Sequence, residues 1–415
     1  MPYLPPAPPK PAATAPATTP ASTPASAART APVGLPLDAG PHDKDAAIEW
    51  WYFNALMKTE SGKNYAVVGS FFRLGLAATN KGHYLIYSLA DLDTKKVITT
   101  GSILDKANVT LLKAYLAASA LFARADDPAV MPLLAALQKN QLPAPHKIAT
   151  ETARVTEKPR FSIAMDGNAF AQKSDDGRMW QASLTDPTFA LTLDFDQPAD
   201  GRAPMLVGGA GKTGLDTPDD MYYLSLTHTS ISGLLTIKNA DGTARTENVS
   251  GAGWVDRQWG RSWIVRDNGW DWFGVHLSDD SDLIVYRIKD NKTGKVLRAE
   301  ATLQKADGSQ SVDTAVTFAS TGTWKDPTSS ITFPEHFAVN LNTLGYKLIF
   351  TPAFDAQAIP TIGIGAAFWE GVVDVTGTTK DGATLSGRGY RELVGYKPAS
   401  DAGHKTRKNS AHRKP

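Results

Sequence analysis

The sequence predicts an all-β protein built from two tandem antiparallel barrels. The chain has 415 residues, which exceeds the usual size of one domain, so two domains are expected. Short runs that alternate between apolar and polar residues recur along most of the chain between turn residues. A tryptophan-containing hairpin pattern also occurs twice, which indicates that one β unit has been duplicated.

The alternating runs are separated by sequences typical of tight turns. Residues 65–73 follow the turn sequence Ser-Gly-Lys-Asn, and residues 283–288 follow Asp-Asp-Ser-Asp. Two further runs, 233–237 and 371–375, precede turns that contain Asp-Gly. Period-two runs of this kind are typical of antiparallel hairpins, and a sheet that closes into a barrel has no exposed edges.

The repeated pattern is Trp-x-x-Phe at the start of a hairpin. The first copy begins at Trp50 and the second at Trp270. Each hairpin then closes with an arginine, Arg73 in the first copy and Arg287 in the second. This similarity favours two related β units over one large sheet.

We therefore expect two barrels, over 41–232 and 233–398, with the seam near Ser230 to Gly233. One segment, 105–141, departs from the strand pattern, because its apolar residues recur at helical spacing. We expect this segment to be a two-helix insertion in the first barrel. It acts either as a plug of one barrel end or as a mobile lid over a ligand.

Both ends of the chain have compositions typical of unfolded segments. Residues 1–40 are rich in Pro, Ala, Thr and Ser, which predicts a disordered linker that could hold the barrels near a membrane. Residues 399–415 are basic and predict a solvated, disordered tail. The sequence contains neither a signal-peptide pattern nor the roughly 20 apolar residues of a membrane-spanning helix.

The composition excludes several classes of function. The net charge is +1, from 43 basic and 42 acidic residues, so no nucleic-acid partner is expected. Cysteine is absent, which excludes disulfides, thiolate nucleophiles and zinc–thiolate sites. The eight histidines form no metal-binding motif, so we expect no metal, and no cofactor-binding motif is present either.

The strongest local signal is a cluster of tryptophans, because five of the ten lie between Trp254 and Trp272. Asp256 and Arg257 stand inside this cluster, just before Trp259. A carboxylate held against aromatic rings loses hydration, which raises its pKa unless a cation is near. Asp256 is therefore either a proton donor or a partner of Arg257 in a structural ion pair. Neighbours on a strand point to opposite faces, but alternation alone does not say which residue faces inward.

Other polar residues also lie beside indoles. Glu49 precedes Trp50 and Trp51, and Glu370 follows a tryptophan. Each carboxyl group is either a desolvated acid or the partner of an arginine. His228 lies on the expected last strand of the first barrel, as a hydrogen-bonded wall residue or as a base.

Five segments, in order along 48–396, resemble the AttH family. They are EWWYFN at 49–54, GAGWVDRQWG at 251–260, GWDWFGVHL at 269–277, FWEGVVDVTG at 368–377 and GRGYRELVGY at 387–396. That family includes hydroxyneurosporene synthase (CrtC), a carotenoid 1,2-hydratase. The resemblance implies two packed lipocalin-like barrels and a periplasmic or secreted location, with the cytoplasm as the alternative.

The chain departs from the hydratase pattern at two positions. Hydratase-like members of the family carry a histidine two positions before the tryptophan of the second motif, where this chain has Arg257. They also carry Tyr-x-Asp in a following strand, where the best match here is Tyr286-Arg287-Ile288. A guanidinium cannot act as a general acid near neutral pH, so a hydratase built on this chain needs a different proton donor.

Three functions are consistent with these features. The first is a lipocalin-like protein that encloses a hydrophobic small molecule such as an isoprenoid, a carotenoid or a lipid. The second is a hydro-lyase of the carotenoid 1,2-hydratase type, or another proton-transfer enzyme that acts on an alkene. The third is a non-catalytic scaffold that docks a partner.

The motifs also provide the candidate site residues. In the enzyme, Asp256 or Glu49 donates the proton, and Tyr286 shapes the site. The residues expected to contact the ligand are Trp50, Trp51, Trp254, Arg257, Trp259, Trp270, Trp272 and His228.

Overall fold

The computed structural model describes residues 38–398. Within that range it leaves out 45, 76–80, 122–129, 199–201, 219, 262–267 and 364, together with the side chains of 119–121 and 130. The predicted tail over 399–415, and residues 1–37 of the predicted linker, lie outside the described residues.

The first half of the described chain forms one curled antiparallel sheet. Its strands are β1 (Ile48–Thr59), β2 (Asn64–Leu74), β3 (Gly82–Asp91), β4 (Lys96–Leu104), β5 (Lys147–Ile148), β6 (Arg154–Thr156), β7 (Ser162–Met165), β8 (Asn168–Gln172), β9 (Met179–Thr185), β10 (Phe189–Asp196), β11 (Met205–Leu206), β12 (Lys212–Thr213), β13 (Met221–Lys238) and β14 (Ala244–Gly260). The main path runs β5-β4-β3-β2-β1-β14-β13-β10-β9-β8-β7-β6, with β11 and β12 paired to β13. One pair, β4 with β5, is parallel.

The second half forms another curled sheet on a similar plan. Its strands are β15 (Asn268–Leu277), β16 (Asp282–Asp290), β17 (Val296–Gln304), β18 (Gln310–Asp313), β19 (Val316–Lys325), β20 (Thr332–Leu341), β21 (Tyr346–Pro352), β22 (Ala358–Pro360), β23 (Ala367–Thr378) and β24 (Thr384–Val394). The path is β18-β17-β16-β15-β24-β23-β21-β20-β19, with β22 paired to β23. The fold is thus nearly all-β, with two half-barrel sheets, as the sequence predicts.

The two sheets share the arrangement of their central strands. β1 lies between β2 and β14, and β15 lies between β16 and β24. The aromatic residues of the repeated motif occupy matching places, because Phe53 and Phe273 point into the interiors of their own sheets. Trp50 and Trp270 instead pack on the apolar cluster that both sheets share. The duplicated hairpin seen in the sequence therefore corresponds to a structural repeat.

The change of sheet differs from the predicted seam near Ser230 to Gly233. That segment lies inside β13, and the chain passes to the second sheet only between Gly260 and Asn268. Gly233 is paired within this strand, and a Cβ there would lie 2.0 Å from the carbonyl oxygen of Thr192 on β10. The glycine permits close approach of a neighbouring strand, which the sequence pattern does not distinguish from a turn.

The predicted helical insertion is present as α1 (Lys106–Leu121) and α2 (Val130–Gln138). A short 3₁₀ helix, η1 (Val207–Gly209), lies between β11 and β12. Leu112 of α1 and Leu137 of α2 belong to the cluster between the sheets, so the pair does not fill the interior of the first half-barrel. In the described part of the chain, no helix has the length and apolar character required to span a bilayer.

Three apolar clusters form the core. One contains residues of the first half of the chain only, and another contains residues of the second half only. Both are filled by aromatic side chains, such as the stacked Phe170 and Trp180 in the first. The third cluster joins residues from both sheets and from the helices. The space left for a ligand is found in this third region.

Candidate active site between the two half-barrels

A cavity of ≈ 460 Å³, counting its open mouth, lies between the two half-barrels. Its lining is mainly aromatic with a few polar groups. The lining residues are Trp50, Tyr52, Thr213, Tyr223, Asp256, Gln258, Trp270, Trp272, Tyr286 and Glu392.

Strand alternation explains which residues reach the cavity. On β1, Trp50 and Tyr52 are two positions apart and therefore point to the same face. Asp256 and Gln258 on β14 show the same spacing. The intervening residues point instead into the interior of the first half-barrel. Arg257 is one of them, and its guanidinium stacks there on two indoles.

Asp256 lies at the wall of the cavity and is only 4% exposed. Its carboxylate accepts three hydrogen bonds from neutral groups. Tyr223 Oη donates to Oδ2 at 2.7 Å, Ser225 Oγ donates to Oδ1 at 2.5 Å, and Trp254 Nε1 donates to Oδ1 at 2.7 Å. Among the described residues, no arginine or lysine forms an ion pair with it.

Burial without a cation raises the pKa of Asp256 to about 6. Removal from water disfavours the charged carboxylate, while the three hydrogen bonds favour it and limit the rise. At neutral pH the group is therefore mostly ionised but titrates within the physiological range. Such a group is suited to accept or deliver a proton.

A second carboxyl group, Glu392, occupies the matching position in the other half-barrel. Asp256 on β14 is paired with Tyr52 on β1, and Glu392 on β24 is paired with Trp272 on β15. Because β14 and β24 occupy equivalent places in their sheets, the structural repeat brings one carboxyl group from each sheet to the same cavity.

Glu392 also has a buried carboxyl neighbour. It lies directly across from Glu370 on β23, and Tyr52 Oη donates a hydrogen bond of 2.8 Å to Glu370 Oε1. Burial raises the pKa of both groups, that of Glu392 to about 8, and the charge of Glu392 further raises the pKa of Glu370. Two adjacent carboxyl groups without a cation hold protons more tightly than isolated ones. The site therefore contains a carboxylic acid that is protonated at neutral pH.

Indoles pack around these groups, although Trp254, a predicted ligand contact, lies behind Asp256 and Trp272 and is not part of the cavity lining. Trp254 and Trp272 meet edge to face with ring centres 6.1 Å apart, and Tyr52 contacts Trp272 in a similar geometry at 6.0 Å. Gly274 makes this packing possible, because a Cβ at that position would lie 2.3 Å from the ring of Trp272. Substitution of Gly274 would therefore displace the aromatic wall.

The remaining candidate acid, Glu49, lies on the opposite face of β1 from the cavity. Its carboxylate accepts hydrogen bonds of 2.6 Å from both Arg257 and Arg73. The Arg257 guanidinium lies over the rings of Trp51 and Trp259, at 4.3 and 5.0 Å from their centres. Although burial alone would raise the pKa of Glu49, the charge of Arg257 holds it well below its usual value. Glu49, Trp51, Arg257 and Trp259 thus form a buried ion-pair cluster away from the cavity.

The other predicted site residues are divided between the cavity and a separate cluster. Trp50, Trp270, Trp272 and Tyr286 line the cavity, and Tyr286 Oη donates to Glu300 Oε1 at 3.2 Å. His228 does not line it, because its ring lies beside Asp282 in a separate polar cluster.

Sequence reasoning missed most of the polar lining. Tyr52 can be predicted from the sequence, because it follows Trp50 by two positions and therefore lies on the same face of the strand. Tyr223 and Glu392 cannot be predicted in this way, because their positions depend on strand pairings between distant parts of the chain. Thr213 and Gln258 carry no distinctive pattern.

Replacing Glu392 with Gln is expected to stabilise the fold at alkaline pH. A carboxyl group whose pKa is raised on folding contributes stability below its unfolded pKa, and that contribution is lost as pH rises through its folded value, about 8. The variant should therefore have a higher Tm than wild type at pH 9, by about 2–4 °C per kcal/mol of relieved desolvation. At pH 5 the two proteins should have similar Tm values. Thermal unfolding at both pH values checks this, and equal Tm values at pH 9 would contradict a raised pKa.

Together, the fold and the site define a lipocalin-like protein of two half-barrels with an aromatic, carboxyl-bearing cavity at their interface. A protein-family profile described as AttH-like matches residues 125–396, which is more than half of the chain. The chain therefore belongs to the AttH-like family.

Solved structures share the fold over most of the chain. A crystal structure of an AttH protein from Nitrosomonas europaea is 25% identical, with a TM-score of 0.64, and the match covers 91% of this chain and 99% of that one. Kievitone hydratase from Nectria haematococca is 15% identical, with a TM-score of 0.61 and coverage of 88% and 93%. CghA in complex with Sch210972 is 14% identical, with a TM-score of 0.52 and coverage of 88% and 95%. No protein in the curated sequence set matches the chain.

Proposed function

We propose that this protein binds a hydrophobic alkene between its two half-barrels and adds water to it by proton transfer. The observation that carries the proposal is the pair of carboxyl groups, Asp256 and Glu392, which reach one aromatic cavity without a cationic partner. A purely structural carboxylate is normally paired when it is buried, as Glu49 is. Unpaired carboxyl groups that titrate near neutrality are typical of catalytic sites.

The two groups are suited to different roles at neutral pH. Glu392, which holds its proton to higher pH, protonates one alkene carbon, and the π electrons form the new C–H bond. The positive charge that develops on the more substituted carbon is stabilised by the faces of Trp270 and Trp272. Water then attacks this carbon, and the Asp256 carboxylate accepts the proton that the water loses. Return of that proton from Asp256 to Glu392, through solvent, restores the starting state.

In this mechanism Arg257, whose guanidinium cannot act as a general acid near neutral pH, has no part in proton transfer. Arg257 stands where hydratase-like relatives carry histidine, but it lies on the other face of β14 and pairs with Glu49. The acid is instead supplied by the second half-barrel. The proposed chemistry therefore does not depend on the two positions at which the chain departs from the hydratase pattern.

The substrate class we propose is an isoprenoid, a carotenoid or a lipid-like molecule with a trisubstituted double bond. The aromatic lining favours an apolar ligand, and a tertiary cation forms more readily than a secondary one. Two fold neighbours add support, since one is named as a hydratase and another was crystallised with the small molecule Sch210972. A periplasmic or secreted location stays a prediction that cell fractionation would test.

A binding protein without catalysis is the second candidate, because an aromatic cavity alone explains ligand binding. The docking scaffold has less support. The exposed large hydrophobic residues among those described are aliphatic, at Met131, Met179, Leu234, Val296, Leu297 and Ile349. No exposed aromatic patch is found in the described part of the chain.

Oxygen-isotope labelling tests the proposal. Purified protein is first extracted with organic solvent, and mass spectrometry identifies any compound that it carries. Acyclic isoprenoids and carotenoids of the matching class are then incubated with the protein in H₂¹⁸O. We expect an alcohol that contains one ¹⁸O atom. Binding without such a product would favour the non-catalytic carrier. If the protein neither binds nor converts these compounds, both functions are contradicted.

The rate of hydration is expected to follow a bell-shaped dependence on pH. It should fall below about pH 6, because the base Asp256 becomes protonated, and above about pH 8, because the acid Glu392 loses its proton. Measurement of kcat/KM between pH 4.5 and 9.5 checks this, over the range in which circular dichroism shows that the protein remains folded. A rate that is flat across this range would contradict the two assigned roles.

A further inference from the structure

A second polar cluster lies between the sheets, outside the cavity lining. It contains His228 on β13 of the first sheet, together with His276 on β15 and Asp282 on β16 of the second. One ring nitrogen from each histidine and one oxygen of the carboxylate all lie within 4.8 Å of one another. His276 Nδ1 is 2.7 Å from Asp282 Oδ1, and His228 Nδ1 is 3.5 Å from Asp282 Oδ2.

Local structure holds these side chains in place. His276 and Asp282 face each other across the β15–β16 hairpin, so the strand register brings them together. Asp282 is 1% exposed, and its Oδ2 accepts hydrogen bonds from Thr227 at 2.9 Å and from Arg202 at 3.3 Å. The carboxylate is thus fixed in orientation by groups of the first half of the chain.

The charges of the cluster favour a cation. Asp280 lies 3.8 Å from His228 Nε2, and it accepts a hydrogen bond of 2.6 Å from Arg202. Two carboxylates therefore face one guanidinium and two imidazoles. Both rings are partly exposed, at 34% and 24%, so an ion can enter from solvent.

We propose that His228, His276 and Asp282 bind a first-row divalent metal ion, for which Zn²⁺ is the natural probe. Zinc bonds to histidine nitrogen and carboxylate oxygen are about 2.0–2.2 Å long, which places tetrahedral ligands about 3.4 Å apart. One atom from each of the three side chains lies within 4.8 Å of the other two, so the ligands must approach by at most about 1.4 Å to reach this separation. Three protein ligands leave one coordination position open.

This site differs from the expectation of no metal drawn from the sequence. The two histidines are far apart in the chain and come from different sheets, so no local motif signals them. Only the hairpin and the packing of the two sheets bring the three ligands together.

A bound ion would link the two half-barrels beside the candidate active site. The ring of His276 lies 5.5 Å from that of Trp254, whose indole donates a hydrogen bond to Asp256. The ion would therefore hold in place the wall that positions Asp256. This role is structural and does not require the ion to contact the substrate.

Calorimetric titration of the full chain with ZnCl₂ at pH 7.5 tests the site. We expect one ion per chain, and at least tenfold weaker binding after His228→Ala or His276→Ala. Binding should also weaken at pH 5.5, because protons compete for the imidazoles. His336→Ala on β20 is the matched control and should leave the affinity unchanged. Because His404 and His412 are present in the C-terminal segment, both are replaced with alanine in every protein compared.

Thermal unfolding provides a second readout. Zn²⁺ should raise the Tm of the parent protein and of the His336→Ala control, but not that of either site variant, because ligand binding stabilises the folded state by mass action. Circular dichroism confirms that each variant is folded before titration. Absence of binding in the parent protein, or binding that survives both His228→Ala and His276→Ala, would overturn the proposal.

Discussion

Replacing Asp256 with Asn is expected to reduce kcat/KM for hydration by about 10²- to 10⁴-fold. Asparagine keeps the size and shape of the side chain, but it cannot accept the proton that water loses. Its oxygen can still accept hydrogen bonds from Ser225 and Trp254, so the aromatic wall should stay in place. Ligand affinity, measured by tryptophan fluorescence, should therefore change little.

A matched control separates catalysis from stability. Asp186 is also buried, and its carboxylate accepts a hydrogen bond of 2.7 Å from Tyr87 Oη, as Asp256 does from Tyr223. Asp186 does not line the cavity, so Asp186→Asn should lower Tm without lowering kcat. If Asp256→Asn behaves in the same way, losing stability while retaining turnover, then Asp256 has a structural role and the proposed mechanism is wrong.

Replacing Glu49 with Gln is expected to lower the free energy of unfolding by about 3–5 kcal/mol at pH 7. The substitution leaves the guanidinium of Arg257, which is 0% exposed, without its carboxylate partner. The pKa of Glu49 is lowered on folding, so its contribution is present above its unfolded pKa and is lost as pH falls through the folded value. The difference between wild type and variant should therefore shrink below pH 4. Chemical denaturation at pH 7 and pH 3.5 measures it.

The control for this prediction is an exposed ion pair. Asp374 and Arg388 are 2.6 Å apart and about half exposed, so Asp374→Asn should change the free energy of unfolding by no more than about 1 kcal/mol. Folded Glu49→Gln protein should also retain wild-type kcat, because Glu49 lies away from the cavity. A large loss of kcat with little loss of stability would instead identify Glu49 as the proton donor.

The sequence predicts the fold more completely than the site. The hairpins and the duplication follow from local patterns, because each strand carries its own period-two signal and each turn its own residues. Strand alternation also predicts that Asp256 and Arg257 face opposite sides, as they do. Which side is the cavity depends on where the second sheet packs, and no local pattern contains that information.

The location of the ligand space illustrates the same limit. The tryptophan motifs suggest apolar pockets, but the barrel interiors are filled by aromatic side chains such as Phe53 and Phe273. The cavity forms at the contact between sheets, where Trp50 and Trp270 come from matching strands. The sequence does not distinguish Glu392 from other glutamates in alternating strands, because its significance comes from this symmetry.

The central claim is that the cavity between the half-barrels holds the substrate with its double bond between Asp256 and Glu392. A crystal structure of the Asp256→Asn protein with an acyclic isoprenoid or carotenoid tests this most directly, since the variant should bind the alkene without consuming it. We predict ligand density bounded by Trp50, Trp270 and Trp272, with the double bond within reach of Glu392. Density inside either half-barrel, or a ligand bound away from both carboxyl positions, would contradict the account.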